Sequence, residues 1–125
     1  FMATGSGLAP LKLMFEHLLR VEKTKKNLVL YLGLNNCEDV FMEEYFASIA
    51  KEFSNFKYHI AVCNKSAKWK GAIGFITPLV KNDFPDASKC SAYLCGNKFM
   101  INDVTKVLTA NGCPAERIYF EKYDA

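Results

Sequence analysis

The 125-residue sequence is poor in the features that mark several function classes. No Gly-Lys-Ser/Thr triplet follows its early glycines, which excludes a Walker-type nucleotide loop there. The five cysteines, Cys37, Cys63, Cys90, Cys95 and Cys113, are odd in number and contain no Cys-x-x-Cys pair. That spacing argues against a disulfide framework and against a zinc site, so no metal is expected. The thiols read instead as reduced groups of a cytoplasmic protein. No apolar run is long enough to span a bilayer, and no secretory leader is visible. The formal net charge is only +3. Lys23, Lys25 and Lys26 cluster at the end of a predicted helix, where they complement its dipole, and no nucleic-acid reader motif accompanies them. There are two histidines, His17 and His59. They fall on a predicted helix and a predicted strand, as structural residues. No paired carboxylates and no Ser/His/Asp set are visible. The chain has no internal repeat and no low-complexity tract.

What is present is concentrated at the start. Phe1-Met2-Ala3 is a short apolar run that enters Thr4-Gly5-Ser6-Gly7-Leu8-Ala9-Pro10, and a helical pattern follows at Leu11, Met14, Phe15, Leu18 and Leu19. Gly5 and Gly7 allow a sharp turn and a close approach of backbone to ligand. Pro10 suits the first turn of a helix. Unpaired N–H groups at a helix start, with the positive end of the dipole behind them, attract anions. The stretch therefore reads as a phosphate cradle, although Gly-x-Gly turns also join strands to helices without any ligand. A β-branched residue at Gly7 is expected to weaken dinucleotide binding with little global unfolding.

Strands and helices alternate along the rest. The spacing predicts a helix over 10–22 and a doubly buried strand over 28–32. A turn is expected over 33–36, where Asn35 or Asn36 caps the next helix and Glu38 and Asp39 fill its first turn. The apolar face of that helix is Phe41, Tyr45, Phe46, Ile49 and Phe53, with Glu43, Glu44 and Glu52 on the solvent side. A strand follows over 56–63, then a lysine-rich loop over 64–71. An apolar segment over 73–80 reads as a short helix. The remaining elements are a strand over 91–95, a helix from Lys98 and a last strand over 117–121. Met100, Val104, Val107 and Leu108 form the apolar side of that helix. Gly112 is placed to end it, with Pro114 beyond. The expected fold is α/β, a five-stranded parallel Rossmann-like sheet with helices on both faces. Ligands of such sheets sit at the carboxyl edge, which collects 4–10, 33–36, 63–71, 95–100 and 121–125.

Several of those segments carry a family pattern. Thr4-Gly5-Ser6-Gly7-Leu8-Ala9-Pro10 resembles the Gly-Thr/Ser-Gly-x-Ala-Pro turn of the ferredoxin–NADP reductase superfamily. Cys95-Gly96-Asn97-Lys98-Phe99-Met100 resembles its Cys-Gly-x-x-x-Met signature. The run from Pro114 to Asp124 is similar to its C-terminal strand and tail. Trp69-Lys70-Gly71 resembles a Trp-x-Gly segment of its NADH-using oxygenase reductases. The resemblance covers nearly the whole chain, in order. It implies one domain over 1–125, the NAD(P)-binding half of a flavoprotein reductase. The flavin motif of the companion barrel is not in the sequence, and the abrupt start predicts a domain excised from a longer protein.

The resemblance also implies roles. The backbone of Gly5, Ser6 and Gly7 would hold a pyrophosphate, Thr4 would lie near the nicotinamide ribose, and Ala9 and Pro10 would set the turn. Cys95 and Gly96 match positions beside the nicotinamide, with Asn97 and Met100 completing that motif. Cys95 would act through shape and polarisability, and Met100 also reads as core packing. Glu121 matches a carboxylate near the active site, or is a solvated terminal charge. Gly33, Asn35, Asn64 and Lys65 lie on the edge that would take the rest of the cofactor. NADPH-using relatives place Ser-Arg where this chain has Cys63-Asn64, which points to NADH. Lys65, Lys68 and Lys70 are the counter-indication, and Asp39 is the candidate ribose partner or a helix cap. The implied chemistry is hydride transfer from NADH, less favoured NADPH, to FAD or FMN on the missing domain. Electrons would then pass to an acceptor such as a ferredoxin or an oxygenase. Two alternatives remain at this point. One is an electron-transfer or regulatory subunit whose flavin partner is a separate chain. The other is a flavodoxin-like binding or signalling module.

Overall fold

A computed structural model describes residues 1–40, 42–64 and 69–122. The chain enters through β1 (Met2–Thr4), turns in a 3-10 segment (Gly5–Gly7) and continues directly into α1 (Leu8–Arg20). Next come β2 (Leu28–Asn36), a second 3-10 turn (Cys37–Asp39) and α2 (Glu43–Glu52). Then follow β3 (Phe56–Asn64), β4 (Ala72–Ile73) and α3 (Thr77–Asp83). The chain closes with β5 (Ala92–Gly96), α4 (Lys98–Ala110), a 3-10 turn (Ala115–Arg117) and β6 (Ile118–Lys122).

The strands form one sheet in the order β4-β3-β2-β1-β5-β6, and every pairing is parallel. Among the described residues there are six strands rather than five. β4 is two residues long and pairs Ala72 with Ala61 and Ile73 with Val62. Two residues are too few for a period to show in sequence. The 73–80 segment therefore splits: Ile73 belongs to the sheet and the helix starts at Thr77. The Trp69 indole N–H donates to the Ala72 carbonyl at 2.8 Å, which folds the preceding turn back onto this edge strand.

The expected turn over 33–36 is also replaced by strand. β2 runs on to Asn36, because Gly33, Leu34 and Asn36 pair with Ala61, Val62 and Asn64 of β3. The helix start expected near Asn36 becomes a separate capped turn, and α2 begins only at Glu43. Glu43 and Glu44 are exposed and occupy its first turn, where negative charge suits the dipole. Phe41 lies outside the described residues.

Parallel strands covered on both faces send alternate side chains to opposite cores. Phe1, Ala3, Leu28, Leu30, Leu32, Phe56, Ile60 and Cys95 face one way, against Leu8, Leu11, Phe15 and Leu19 of α1 and Phe46 and Ile49 of α2. Met2, Tyr31, Ala61, Ala92, Leu94 and Ile118 face the other way, against Val80 of α3 and Met100, Ile101, Val104 and Leu108 of α4. Gly112, at φ +99°, ends α4, and the Cys113 N–H reaches back to the Leu108 carbonyl at 2.9 Å. Left-handed backbone there favours glycine.

The strand order places the site. Successive units step from β1 to β2, β3 and β4, and the chain then returns to the other side of β1 for β5 and β6. The winding reverses between β1 and β5. In open parallel sheets the crevice at that reversal, outside the carboxyl ends, is where ligands bind.

Candidate functional site

Two segments meet at the reversal. β1 delivers Thr4 and the Gly5–Gly7 turn, and β5 delivers Cys95 and Gly96. Their contact needs two glycines. A Cβ on Gly7 would lie 2.5 Å from the Cys95 carbonyl carbon and nearer still to its oxygen. A Cβ on Gly96 would collide with the Thr4 hydroxyl and stand 2.9 Å from the Thr4 nitrogen. Gly96 also has φ +152°, a backbone that other residues rarely adopt. Each glycine thus makes room for the backbone of the other segment. The Thr4 hydroxyl oxygen accepts the Asn97 N–H at 2.9 Å, which closes the junction. Gly7 therefore also holds the β1 turn against β5, so a side chain there disturbs packing as well as the crevice.

The start of α1 faces this crevice with no side-chain cap on either Thr4 or Gly7. Gly5 takes φ +52° with open space around its Cα, and Gly5, Ser6 and Ala9 are exposed. The Leu8 N–H is taken within the turn, by the Gly5 and Ser6 carbonyls, and a helix start that no side chain caps is a place where an anion can bind. Pro10 sits in the first turn of α1, where its missing N–H costs nothing. Beside the turn lies a cavity of about 220 Å³. Gly5, Ser6, Leu8 and Ala9 form one wall; Leu32, Leu34, Val40 and Met42 form the other. Lys12 and Asp39 are its charged members. A larger cleft, about 740 Å³, opens at the opposite, amino edge of the sheet among Arg20, Lys23, Lys25 and Asn55. It adjoins neither the glycine turn nor the strand reversal.

Of the residues singled out from sequence, Thr4, Gly5, Ser6, Gly7, Ala9, Gly96 and Asn97 come together here. Asn97 is committed to capping α4, its side-chain oxygen accepting the Met100 N–H at 2.8 Å. Met100 is buried in the core formed with α3 and β5. Cys95 is 2% exposed, so its thiol belongs to the core on the α1 side while its backbone lies on the junction. Glu121 is the register partner of Cys95 on the edge strand β6 and is exposed. Gly33 pairs with Thr4 across β1 and β2. Asn35 is exposed near the end of β2, and Asn64 ends β3. Lys65, Lys68 and the 123–125 tail lie outside the described residues.

Sequence reasoning misses several contributors. Lys12, Leu34 and Met42 line the cavity, yet in sequence no motif is attached to them. Asn36 reads in sequence only as a cap. In the structure the Asn64 amide also donates to its side-chain oxygen at 2.7 Å. No spacing rule pairs residues twenty-eight apart; only the β2–β3 register does so.

His17 is exposed on α1. His59 on β3 stacks on Tyr31, with ring centroids 5.2 Å apart, and stands 3.8 Å from the Asp83 carboxylate. The Tyr31 hydroxyl donates to that carboxylate at 2.5 Å. Burial, and then the bond to Asp83, push the Tyr31 phenol far up from its ordinary range. This cluster packs on the α3 side of the sheet and keeps Tyr31 un-ionised.

Comparison with known proteins agrees with this geometry. The family model described as oxidoreductase NAD-binding domain matches residues 1–106, both glycine segments included. The chain belongs to this family. Membership decides against a flavodoxin-like signalling module. One subunit of the Na(+)-translocating NADH-quinone reductase of Pseudoalteromonas atlantica is 30% identical over a 129-residue alignment. That alignment takes in 98% of this chain and 32% of the relative. The chain thus spans about a third of the length of the curated relatives it matches. Among solved structures, the Amycolatopsis cytochrome P450 reductase GcoB is similar at 27% identity and a TM-score of 0.84. The similarity covers 97% of this chain and 36% of that one. A Neisseria gonorrhoeae ferredoxin NADP+ reductase, solved with FAD and NADP, shares the fold at a TM-score of 0.79 and 19% identity. It is covered over 54% of its chain and this chain over 97%. No helix among the described residues is long and apolar enough to cross a membrane.

Proposed function

We propose that this NAD-binding domain holds NADH at the β1–β5 crevice and presents it to a flavin carried by another domain. The observation that carries the reading is the interlock of Gly7 with Cys95 and of Gly96 with Thr4. It brings an uncapped helix start and the end of β5 onto one side of the strand reversal. The N–H groups of Gly5, Ser6 and Gly7 would hold the pyrophosphate, and the apolar cavity bounded by Leu34 and Val40 would take the adenosine half. The end of β5 would lie against the nicotinamide, with buried Cys95 giving that wall its shape. When bound, the dinucleotide supplies a hydride from nicotinamide C4 to the flavin ring. The protein's part is distance, orientation and exclusion of water.

NADH is favoured over NADPH because Cys63-Asn64 offers no guanidinium to a 2′-phosphate. The cytoplasm is the proposed compartment, since all five cysteines are thiols. Phe99, 70% exposed in the first turn of α4, and Phe120, 57% exposed on β6, stand near the nicotinamide end and suit contact with a flavin-bearing domain. The flavin, FAD or FMN, would pass electrons to a further acceptor such as a ferredoxin or an oxygenase. Glu121 is proposed to lie beside that contact.

The test is anaerobic mixing of NADH with a flavin-loaded protein that contains this domain, following the visible band of oxidised flavin. Bleaching that is fast with NADH and abolished by Gly7→Val supports the reading. Binding of NADH to this domain without any reduction of the flavin would refute hydride delivery.

A further inference from the structure

Asn36 and Asn64 end adjacent strands as register partners, Asn36 on β2 and Asn64 on β3. Their side chains meet: the Asn64 amide NH2 donates to Asn36 Oδ1 at 2.7 Å. The direction of this bond is fixed from the other side. Asn36 begins a capping box, in which its side chain receives the Asp39 backbone N–H. The Asp39 carboxylate in return takes the Asn36 N–H at 3.2 Å. A backbone N–H can only donate, so the Asn36 atom between the two donors is the carbonyl oxygen. The Asn64 atom facing that oxygen must then be the NH2 group. Flipping Asn64 would set two carbonyl oxygens against each other. Asn64 is therefore held with its own carbonyl oxygen turned away from Asn36, at the exposed carboxyl end of β3.

We infer that Asn36 is a positioning residue for cofactor choice: it locks Asn64 so that a hydrogen-bond acceptor, not a donor, meets the adenosine ribose. The inference rests on the reading that this edge takes the adenosine half of the dinucleotide. A ribose 2′-hydroxyl has a proton to give and suits that acceptor. A 2′-phosphate presents only acceptor oxygens at neutral pH and is repelled by it. One of the two Asn64 amide hydrogens that could otherwise serve the phosphate is already engaged by Asn36. Asp39, itself a candidate for ribose recognition, acts at one remove. Its backbone N–H orients Asn36, which orients Asn64.

The experiment is calorimetric titration of the chain with NADH and, separately, with NADPH, for wild type, Asn36→Ser, Asn64→Ala and the double variant. Serine keeps the cap on the 37–39 turn but is too short to reach Asn64, so the fold is preserved while the lock is released. Wild type is expected to bind NADH more tightly than NADPH. Asn36→Ser should lower that ratio about fivefold, the equivalent of one ordinary hydrogen bond. In the Asn64→Ala background the same serine should change the ratio by less than about twofold, because the pair acts as one unit. A general loss of stability would weaken both cofactors alike and leave the ratio unmoved, which separates positioning from scaffolding. An unchanged ratio in Asn36→Ser with NADH still bound overturns the inference and leaves the site reading intact. A wild-type preference for NADPH overturns it as well. Failure of the wild-type chain to bind either nucleotide removes the site reading itself, and the inference with it.

Discussion

Gly7→Ala is the sharpest perturbation of the junction. Gly7 sits at φ −61° and ψ −14°, a conformation alanine accepts without strain, so only the added methyl matters. That carbon would fall 2.5 Å from the Cys95 carbonyl carbon and 3.0 Å from the Gly96 nitrogen. Carbon atoms rest at about 3.5 Å or more, so the two segments must part by about 1 Å. β5 cannot yield, because Cys95 is paired with Ala3 on one side and Glu121 on the other. The glycine turn therefore moves. Overpacking of this kind costs about 1–3 kcal/mol, and up to about 1 kcal/mol returns from the lower entropy of the unfolded chain. The net expectation is a loss of about 1–2 kcal/mol in urea unfolding followed by circular dichroism. NADH affinity should fall at least about tenfold, as if one charge-assisted hydrogen bond to the pyrophosphate were lost. Gly5→Ala is the control. It has room for a methyl but sits at φ +52°, so it should lose about 1–2 kcal/mol through backbone strain alone. Stability of Gly7→Ala within about 0.5 kcal/mol of wild type, with unchanged NADH affinity, would refute the interlock.

Further outcomes follow from single contacts. Asn97→Ala should cost about 1 kcal/mol by urea unfolding through loss of the α4 cap, and Asn97→Asp should restore most of it. Tyr31→Phe should cost about 1 kcal/mol, a modest value because Asp83 is 45% exposed and water replaces the phenol; a loss above about 3 kcal/mol would contradict this. Burial raises the Cys113 thiol, and burial is also the main cause of the raised Cys90 thiol, so both hold less thiolate than an ordinary cysteine at the same pH. Native-state alkylation near neutral pH should therefore reach half-buried Cys37 and Cys63 well before Cys113, and mass mapping that finds Cys113 modified first would contradict the packing.

The sequence is most legible where local chemistry and tertiary context agree. The 4–10 turn, the helix from Lys98 and the Gly112 stop are readable because glycine, proline and asparagine each satisfy a local backbone demand that the fold keeps. Legibility fails where pairing between strands decides. Gly33 to Asn36 carries turn-forming residues, yet the ladder to β3 and the Asn36–Asn64 amide bond hold them extended. β4 is only two residues paired to β3, and the Trp69 bond to the Ala72 carbonyl beside it has no periodic signature. At the site, the two glycine segments are visible separately. Their interlock is not, since the close approach of Gly7 to Cys95 is set by the β1–β5 pairing between segments far apart in the chain.

The central claim is that the carboxyl edge at the β1–β5 reversal, and not the larger amino-edge cleft, binds the dinucleotide. Amide NMR of the isotopically labelled chain during an NADH titration tests this directly. The largest shifts are expected at Gly5, Ser6, Gly7, Leu34, Gly96 and Asn97, with Lys23, Asn27 and Asn55 unmoved. Shifts centred on Lys23 and Asn55, or a titration that leaves the Gly5–Gly7 amides in place, would contradict it.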